Sequence, residues 1–575
     1  MDQAELRRWE IDRLPHPPGH REAWHGLLDG LVEYPHDREY WPWRARKRVD
    51  RWRPLATVTL GTATGHGHDT AIPTRISMRR HTGIETLDLH GEWDDAERVA
   101  SLLFTRRTRA HLLILTRGTA WGLNALLRWY GRAWVAAGLT IVPLVAGWEL
   151  RAVVIRRGRD KWTLCDFGVV TGSTIEDALD DPTLALIRPD GRDLELDRAW
   201  WYVKRLQELS LRELRTNLRA TAGTTAIAVA SAWLPADLLI SRPPPDLVAM
   251  ARVGYGYRGG HVHGSPYRGV CYHADVRRLY AHCLRSPLPR AWAMGHASDL
   301  RDDRPGLMMC TVSGKTAIPI VLGQWQGPTV GWVRDTWTAG SRPCVVPSSE
   351  FAGLRALGLT VEPAWGMVAD GTFTLTSLVD RLEHVIGFYG ADSAMGRYAK
   401  LVANATYGKW GSAPERENVA WSVEPPHPDA FPMVTVDGVE LADMWTWDTV
   451  HYAPTQQVGH AALVTGQARS VLYVEMAARL AEGRKVVHAH TDGYVATGFP
   501  PVEMPTDTTT IGAWRMVRAD ADGIVLRGGG YVVGDDPKWS GAPGWGRREI
   551  ELAWDRGTWI VRGEVAVRPE ALPAT

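Results

Sequence analysis

Cysteine is scarce. The five present, Cys165, Cys271, Cys283, Cys310 and Cys344, are odd in number, widely separated and never in a CxxC pair, which argues against both a disulfide framework and a zinc site. A reducing, cytoplasmic setting is the expectation. Long apolar runs are missing too: the most apolar stretch, Ala133 to Trp148, is interrupted by Pro143 and too short to span a bilayer, and the opening MDQAELRRWEIDR is charged rather than signal-like. No membrane partner is therefore expected. Nor is there an excess of one charge, because 66 Lys and Arg stand against 65 Asp and Glu, a formal net charge of +1. The basic balance common in nucleic-acid binders is absent, although a cleft enzyme can offset a basic groove with acidic outer faces, and arginine supplies planar donors for phosphate. Finally, no segment combines low hydrophobicity with high charge; with 45% hydrophobic and 23% charged residues the chain belongs to the globular class.

The 575 residues suffice for roughly two to four domains. No internal repeat divides them, so changes in texture must. From about residue 1 to 230, short β-like runs (ATVTL, LLILT, LTIVPLVAG, RAVVI) alternate with helix-like stretches at 94–103 and 197–220, a pattern that predicts a mixed α/β domain. The prolines of SRPPPD, 241–246, mark a boundary. Residues 285–380, rich in Gly, Pro and Trp, read as an irregular β insertion, and 392–410 as a helix. In 461–500 a helix ends at Gly483, and KVVHAH, TDG and YVATG follow as strand, tight turn and strand, with Asp492 at the hairpin tip.

Phosphoryl transfer with two metals needs carboxylates converging from separate strands. YHADVRRLYAHCL offers Asp275 and the hairpin tip offers Asp492. Taken singly, each reads as a turn residue. Between them GRYAKLVANATYGKWG places Lys400, Asn404 and Tyr407 four and three residues apart, so one helix face presents a cation, an amide and an aromatic ring suited to a nucleoside triphosphate. GYGYRG, 254–259, is formally GxGxxG but lacks a strand–helix frame. His66 and His68 in GHGHD read as a solvated loop, and the 28 tryptophans as packing residues, a few of which can serve as base-stacking platforms.

In order, spacing and residue type these pieces resemble the motifs of family B DNA polymerases, specifically the protein-primed branch of phages and linear plasmids. Asp275-Val-Arg-Arg-Leu-Tyr280 resembles motif A, Lys400 to Gly408 resembles KxxxNSxYG of motif B, and His490-Thr-Asp-Gly493 occupies the place of the DTDS of motif C. Tyr257-Arg-Gly-Gly260 resembles the YxGG element, Thr465 to Arg469 (TGQAR) a TxxGR or TxxAR element, and LRGGGY, 526–531, lies where a KxY element is expected. The resemblance implies that Asp275 and Asp492 are catalytic and bind two Mg²⁺ ions, with Mn²⁺ as an alternative. It implies that Lys400 contacts the triphosphate, that Tyr280 stacks beneath the sugar and excludes a 2′-hydroxyl, and that Asn404, Tyr407 and Gly408 line the nascent base pair. Tyr257 and Arg469 would line the template strand and Arg527 and Tyr531 the primer end, with Gly259, Gly260 and Thr465 also binding DNA.

Several positions depart from the pattern. Arg278 and Ala281 replace Ser and Pro in motif A, His490 and Gly493 replace Asp and Ser in motif C, and Gly529 takes the lysine position of KxY. In the N-terminal region, aligning VTLGTATG, LTRGTAW and Tyr202-Val-Lys-Arg-Leu206 with the family's exonuclease motifs puts Thr59, Gly61, Ala120 and Leu206 where acids belong; TAGTT, 221–225, supports the third placement. The expected architecture is multidomain, α/β and α+β. An N-terminal, RNase H-like, degenerate 3′–5′ exonuclease domain (1–240) leads through a linker (241–265) into a right-hand polymerase (266–575). That polymerase comprises palm 266–284 and 459–514, insertion 285–380, fingers 382–412, second insertion 413–458 and thumb 515–575. The expected activity is template-directed DNA synthesis on primer-template DNA with dNTPs, initiated on a terminal protein and without proofreading. A catalytically weak or inactive nucleic-acid-binding relic, and a template-independent nucleotidyltransferase, are the alternatives.

Overall fold

The computed structural model describes residues 43–44, 55–63, 72–90, 93–104, 112–116, 123–145, 151–171, 173, 194–252, 256–327, 331–412, 415–434, 440–450, 455–506, 508–527, 530–534, 536–539, 547–556, 558–561 and 564–567. His66, His68, Ala120 and Gly529 lie outside them. By contacts the chain divides into one unit of residues 1–43, 239–376 and 457–575 and another of 44–238 and 377–456. Among the described residues no helix is long and apolar enough to cross a membrane.

The second unit is built on a ten-stranded mixed sheet. In spatial order its strands are Phe431–Val434, Glu440–Val450, Glu415–Trp421, Thr140–Val145, Ala152–Arg157, Asp160–Asp166, Leu112–Leu115, Leu55–Ala63, Ile72–Arg80 and Gly83–Asp88. Leu112–Leu115 runs parallel to both neighbours, and the other pairings are antiparallel. The four β-like runs of the sequence are these strands. Val58, Leu60, Leu113 and Ile155 form one core with Leu126 and Trp134 of the helix Leu123–Ala136. The buried Trp134 indole donates to the Ala96 carbonyl at 2.9 Å, so this aromatic adds area to the core without orphaning its polar edge.

Helix α1, Leu194–Leu214, is followed by Arg215 at φ +60°, a left-handed backbone that ends the helix before the expected residue 220. Helix α2, Ala222–Trp233, begins with a capping box in which Thr221 accepts from the Thr224 amide and Thr224 reaches back. Helix α3, Ala394–Trp410, is capped by Ser393 and buries Tyr398, Ala399, Val402, Ala403, Thr406 and Trp410, an i, i+4 stripe packed against α2. That registration leaves the opposite face open.

The first unit contains a seven-stranded antiparallel sheet made of β1 (Val262–Gly264), β2 (Tyr267–Val276), β3 (Val486–His490), β4 (Gly493–Thr497), β5 (Trp514–Arg527), β6 (Gly530–Val533) and β7 (Asp536–Trp539), in the order β1-β3-β4-β2-β5-β6-β7. Tyr272, Ala274, Tyr494 and Ala496 share a core with Leu472, Tyr473 and Met476 of helix α4, Val458–Ala481. The two-residue period of a strand then turns His273 and Asp275 to the other face of β2. A four-stranded antiparallel sheet occupies 288–373, its longest strands Gly306–Gly327 and Gly331–Pro347 forming one hairpin. The sequence read this segment as short irregular pieces. The breakers are instead absorbed within regular strands: Gly314 and Gly340 face each other at φ +121° and +112°, and a register shift between Lys315 and Ile320 accommodates Pro319. All five cysteines are buried thiols.

Candidate active site

Asp275 and Asp492 come from sequence positions far apart but from neighbouring strands. Asp275 lies opposite Gly493 in the β2–β4 register, and the Asp492 carbonyl accepts the Val276 amide at 2.8 Å. Between His490 and Gly493 the chain turns through Thr491 at φ +54°, a conformation unfavourable for a β-branched residue and held here by its surroundings. The Thr491 amide donates to the His261 carbonyl at 2.8 Å, and its hydroxyl donates to the Asp492 carboxylate at 3.0 Å. Glycine at 493 has a local reason: a Cβ there would lie 2.7 Å from the Ala274 carbonyl oxygen and 3.2 Å from Asp275 Cβ.

The carboxylates feel each other. Surrounding protein raises the Asp492 pKa above its ordinary value and the Asp275 charge raises it further, while the Thr491 hydroxyl and Arg515 pull it down in part. Arg515 faces Asp275 across the β2–β5 pair and grips both its oxygens, Nε to Oδ1 at 2.8 Å and Nη2 to Oδ2 at 3.3 Å. Nothing in the sequence motifs pointed to Arg515, since its partner is set by strand register. Next to it Arg278, at φ +52°, leads the short helix Leu279–Cys283; burial and the charges of Arg277 and Arg515 push its pKa down to about 10. A concentration of guanidinium around two acids suits a polyanionic ligand.

Among the described residues no three His, Cys, Asp or Glu side chains are gathered to hold a metal ion. Magnesium does not require such a cage, because it retains waters and is commonly held by one or two carboxylates together with substrate phosphates. Two mutually repelling carboxylates, one already neutralised by a guanidinium, fit that description.

Other sequence-assigned residues fall into three groups. Tyr280 is buried beside the pair, its hydroxyl 2.5 Å from where a Gly260 Cβ would stand. Lys400, Asn404, Tyr407 and Gly408 share the open face of α3, where Lys400 Nζ lies 4.0 Å from Asp392 and nothing approaches a Cβ built on Gly408. Gly259 is half-buried and open, Tyr257 is half-buried against the apolar cluster that contains Leu307 and Met309, and Arg527 is half-buried at the end of β5. By contrast Thr465, Arg469 and Tyr531 are not at a surface. Thr465 donates to the Ala461 carbonyl at 2.9 Å within α4, and Arg469, 1% exposed, is held by Glu350. Tyr531 packs on His488 with centroids 4.4 Å apart and on His273 at 5.6 Å. His490 stacks nearly parallel to His488, whose pKa is held well below the ordinary imidazole range by burial and then by His490, His273, His263 and His261.

In the second unit the positions aligned with exonuclease acids carry no acid. Thr59 and Gly61 lie in the strand Leu55–Ala63, and the Thr59 hydroxyl hydrogen-bonds that of Thr116. Leu206 and Tyr202 are buried on α1, where the Tyr202 hydroxyl donates to Ser173 at 3.1 Å.

No protein-family model and no curated protein matches the chain. Solved structures do. Phi29 DNA polymerase complexed with primer-template DNA and incoming nucleotide substrates aligns with a TM-score of 0.61 at 16% identity, covering 90% of this chain and 98% of that one. The orthorhombic crystal form of the same polymerase gives 0.60 at 15%, covering 89% and 99%. Its complex with single-stranded DNA gives 0.58 at 15%, covering 90% and 98%. The resemblance expected from the motifs is thus borne out in three dimensions: this chain shares the mixed α/β multidomain fold of phi29 DNA polymerase, a protein-primed family B enzyme.

Proposed function

We propose that this chain is a DNA-directed DNA polymerase of the two-metal type, protein-primed in initiation and without a proofreading nuclease. The observation that carries the reading is the meeting of Asp275 and Asp492 on adjacent strands, within a fold shared with a DNA polymerase. Primer-template DNA and dNTPs are the partners we infer, supported by the likeness to a polymerase solved with both. In this reading the first unit carries the palm and the thumb, α3 belongs to the fingers, and the ten-stranded sheet joins seven strands of a degenerate RNase H-like domain to three of the second insertion, 413–458.

The reaction is attack of a primer hydroxyl on the α-phosphate of a dNTP, with pyrophosphate leaving; in initiation the hydroxyl belongs to a Ser, Thr or Tyr of a terminal protein. Magnesium, when bound, supplies charge stabilisation on the phosphates. The chain's own residues do the rest. Asp275 and Asp492 provide the anionic oxygens, and Thr491 orients the Asp492 carboxylate by its hydrogen bond. Tyr280 limits the space beside the sugar, and Lys400 offers its ammonium to the triphosphate. The apolar and hydroxyl groups at Thr59 and Leu206 cannot hold the metals that phosphodiester hydrolysis would need.

Primer extension on a defined template with Mg²⁺ tests this. Template-dependent extension by the wild type, lost in Asp275→Ala and Asp492→Ala, supports the proposal. Extension that ignores the template would favour a specialised nucleotidyltransferase. A chain that binds primer-template DNA without extending it would be a relic.

A further inference from the structure

A Cβ on Gly260 would stand 2.5 Å from the Tyr280 hydroxyl, 2.8 Å from Thr491 Cγ2 and 3.0 Å from Thr491 Cα. The backbone of the YRGG segment is therefore in direct contact with both the ring assigned to sugar selection and the turn that carries Asp492. One residue further on, the His261 carbonyl takes the Thr491 amide at 2.8 Å. Whatever fixes this segment also fixes those two groups.

What fixes it is an ion triad with no access to solvent. Arg469 donates through Nη1 to the carbonyls of Arg258 at 2.5 Å and Gly259 at 2.8 Å, and through Nε and Nη2 to Glu350 at 2.9 and 2.6 Å. Arg258 Nη2 donates to the same carboxylate at 2.8 Å. Arg258 and Arg469 are 1% exposed and Glu350 0%. Burial alone would neutralise Glu350, yet the two guanidinium groups hold its pKa below the ordinary range. Buried ion clusters seldom add stability over apolar packing, and a known use of them is to specify one arrangement. This one joins Arg258 of the YRGG element to Arg469 of TGQAR through a glutamate that belongs to neither.

We propose that Glu350 is a positioning residue: with Arg258 and Arg469 it seats Gly259–His261 against Tyr280 and the Thr491–Asp492 turn, so that sugar selectivity and metal affinity depend on groups that never touch substrate. The inference rests on the polymerase reading and on Tyr280 as the sugar gate.

The experiment is single-nucleotide primer extension by the full chain with dNTP and with the matching ribonucleotide, giving kcat/KM for each, a Mg²⁺ titration, and a thermal melt of every variant. Gly260→Ala pushes a methyl group into the Tyr280 hydroxyl and is expected to lower dNTP-over-rNTP selectivity on the order of tenfold, within what a displacement of less than 1 Å can do. Removing that hydroxyl makes room, so the same substitution in a Tyr280→Phe background should shift selectivity much less, a non-additivity expected only of groups in contact. Glu350→Gln should shift selectivity in the same direction and raise the Mg²⁺ concentration needed for half-maximal rate. Should it fail to fold, Arg258→Lys, which loses the guanidinium donor to Glu350, takes its place, and unchanged selectivity and Mg²⁺ requirement in the variant that folds would overturn the role of Glu350. Equal losses for both sugars in Gly260→Ala, or additive effects with Tyr280→Phe, would overturn the proposal. If Tyr280→Ala itself leaves selectivity unchanged, the gate assignment fails and the inference falls with it; if Tyr280→Ala relaxes selectivity while Gly260→Ala does not, the positioning role alone is lost.

Discussion

The two units of this chain differ at the positions that the motifs would fill with acids. In the seven-stranded sheet, Asp275 and Asp492 are kept on neighbouring strands, although the protein around Asp492 and the Asp275 charge disfavour the charged form of Asp492. In the second unit, the positions aligned with a nuclease hold Thr59 of the ten-stranded sheet, tied to Thr116, and the buried Leu206 of α1. Those are comfortable residues. A threonine pair satisfies its own hydroxyls, and a leucine in a core costs no desolvation, whereas paired acids oppose folding wherever no cation neutralises them. The difference teaches that the Asp492 carboxylate is kept where its charged form is disfavoured, an arrangement that points to function rather than to stability.

The largest effect that can break this comparison is removal of either acid. Asp275→Ala or Asp492→Ala should lower Mg²⁺-dependent incorporation by roughly a hundredfold or more, since the charge stabilisation lost is worth several kcal/mol. Primer extension measures it, and normal rates would refute the assignment. On the other side, Leu206→Asp buries an unpaired carboxylate at a position now 1% exposed. It should destabilise the protein by about 4 kcal/mol or more and should not confer degradation of a 3′ single strand. A well-folded, nuclease-active Leu206→Asp chain would mean that the second unit still holds a metal site.

The site was legible where strand alternation and a tight turn decide geometry. YHADV and HTDG were sufficient, because a period of two puts Asp275 opposite the core and a hairpin tip presents Asp492. The open face of α3 was legible for the same reason at a period of 3.6. Residues whose neighbours are remote in sequence were not. Arg515 reaches Asp275 only through the β2–β5 register; Glu350 meets Arg258 and Arg469 across separations of 92 and 119 residues. Thr465, Arg469 and Tyr531 were placed on DNA through motif resemblance, while the structure gives each a buried protein partner. In the fold, the long hairpin at Gly306–Pro347 was missed because Gly and Pro read as breakers until a partner strand shows that they mark bulges.

A mid-sized effect is expected at the sugar. Tyr280 is 7% exposed and stands beside the acid pair, so Tyr280→Ala should admit ribonucleotides with a loss of selectivity on the order of a hundredfold. Competition between dNTP and rNTP in primer extension reads it directly. Selectivity equal to wild type would remove Tyr280 from the gate.

The smallest effect sharpens the contrast most, because it separates what the acid pair costs from what it does. The Asp492 pKa is raised in the folded chain. Below the unfolded-state value, about 3.9, both states hold the proton and Asp492 does not affect stability. As pH rises past that value the unfolded chain releases its proton while the native chain still holds it, so stability falls, and above the folded-state pKa the full penalty remains. Asp492→Asn keeps the shape and an acceptor for the Thr491 hydroxyl but has no charge. Because the Asp492 side chain is exposed and solvent screens much of that penalty, without Mg²⁺ the variant should melt slightly higher than wild type at pH 7.5, with the gain shrinking as pH falls toward 4. Added Mg²⁺ should raise the melting temperature of the wild type and not that of the variant, since only a chain that binds the ion is stabilised by it. A variant that melts lower than wild type by the same amount at every pH would mean that the Asp492 charge supports the fold, and the contrast between the two units would then lose its physical basis.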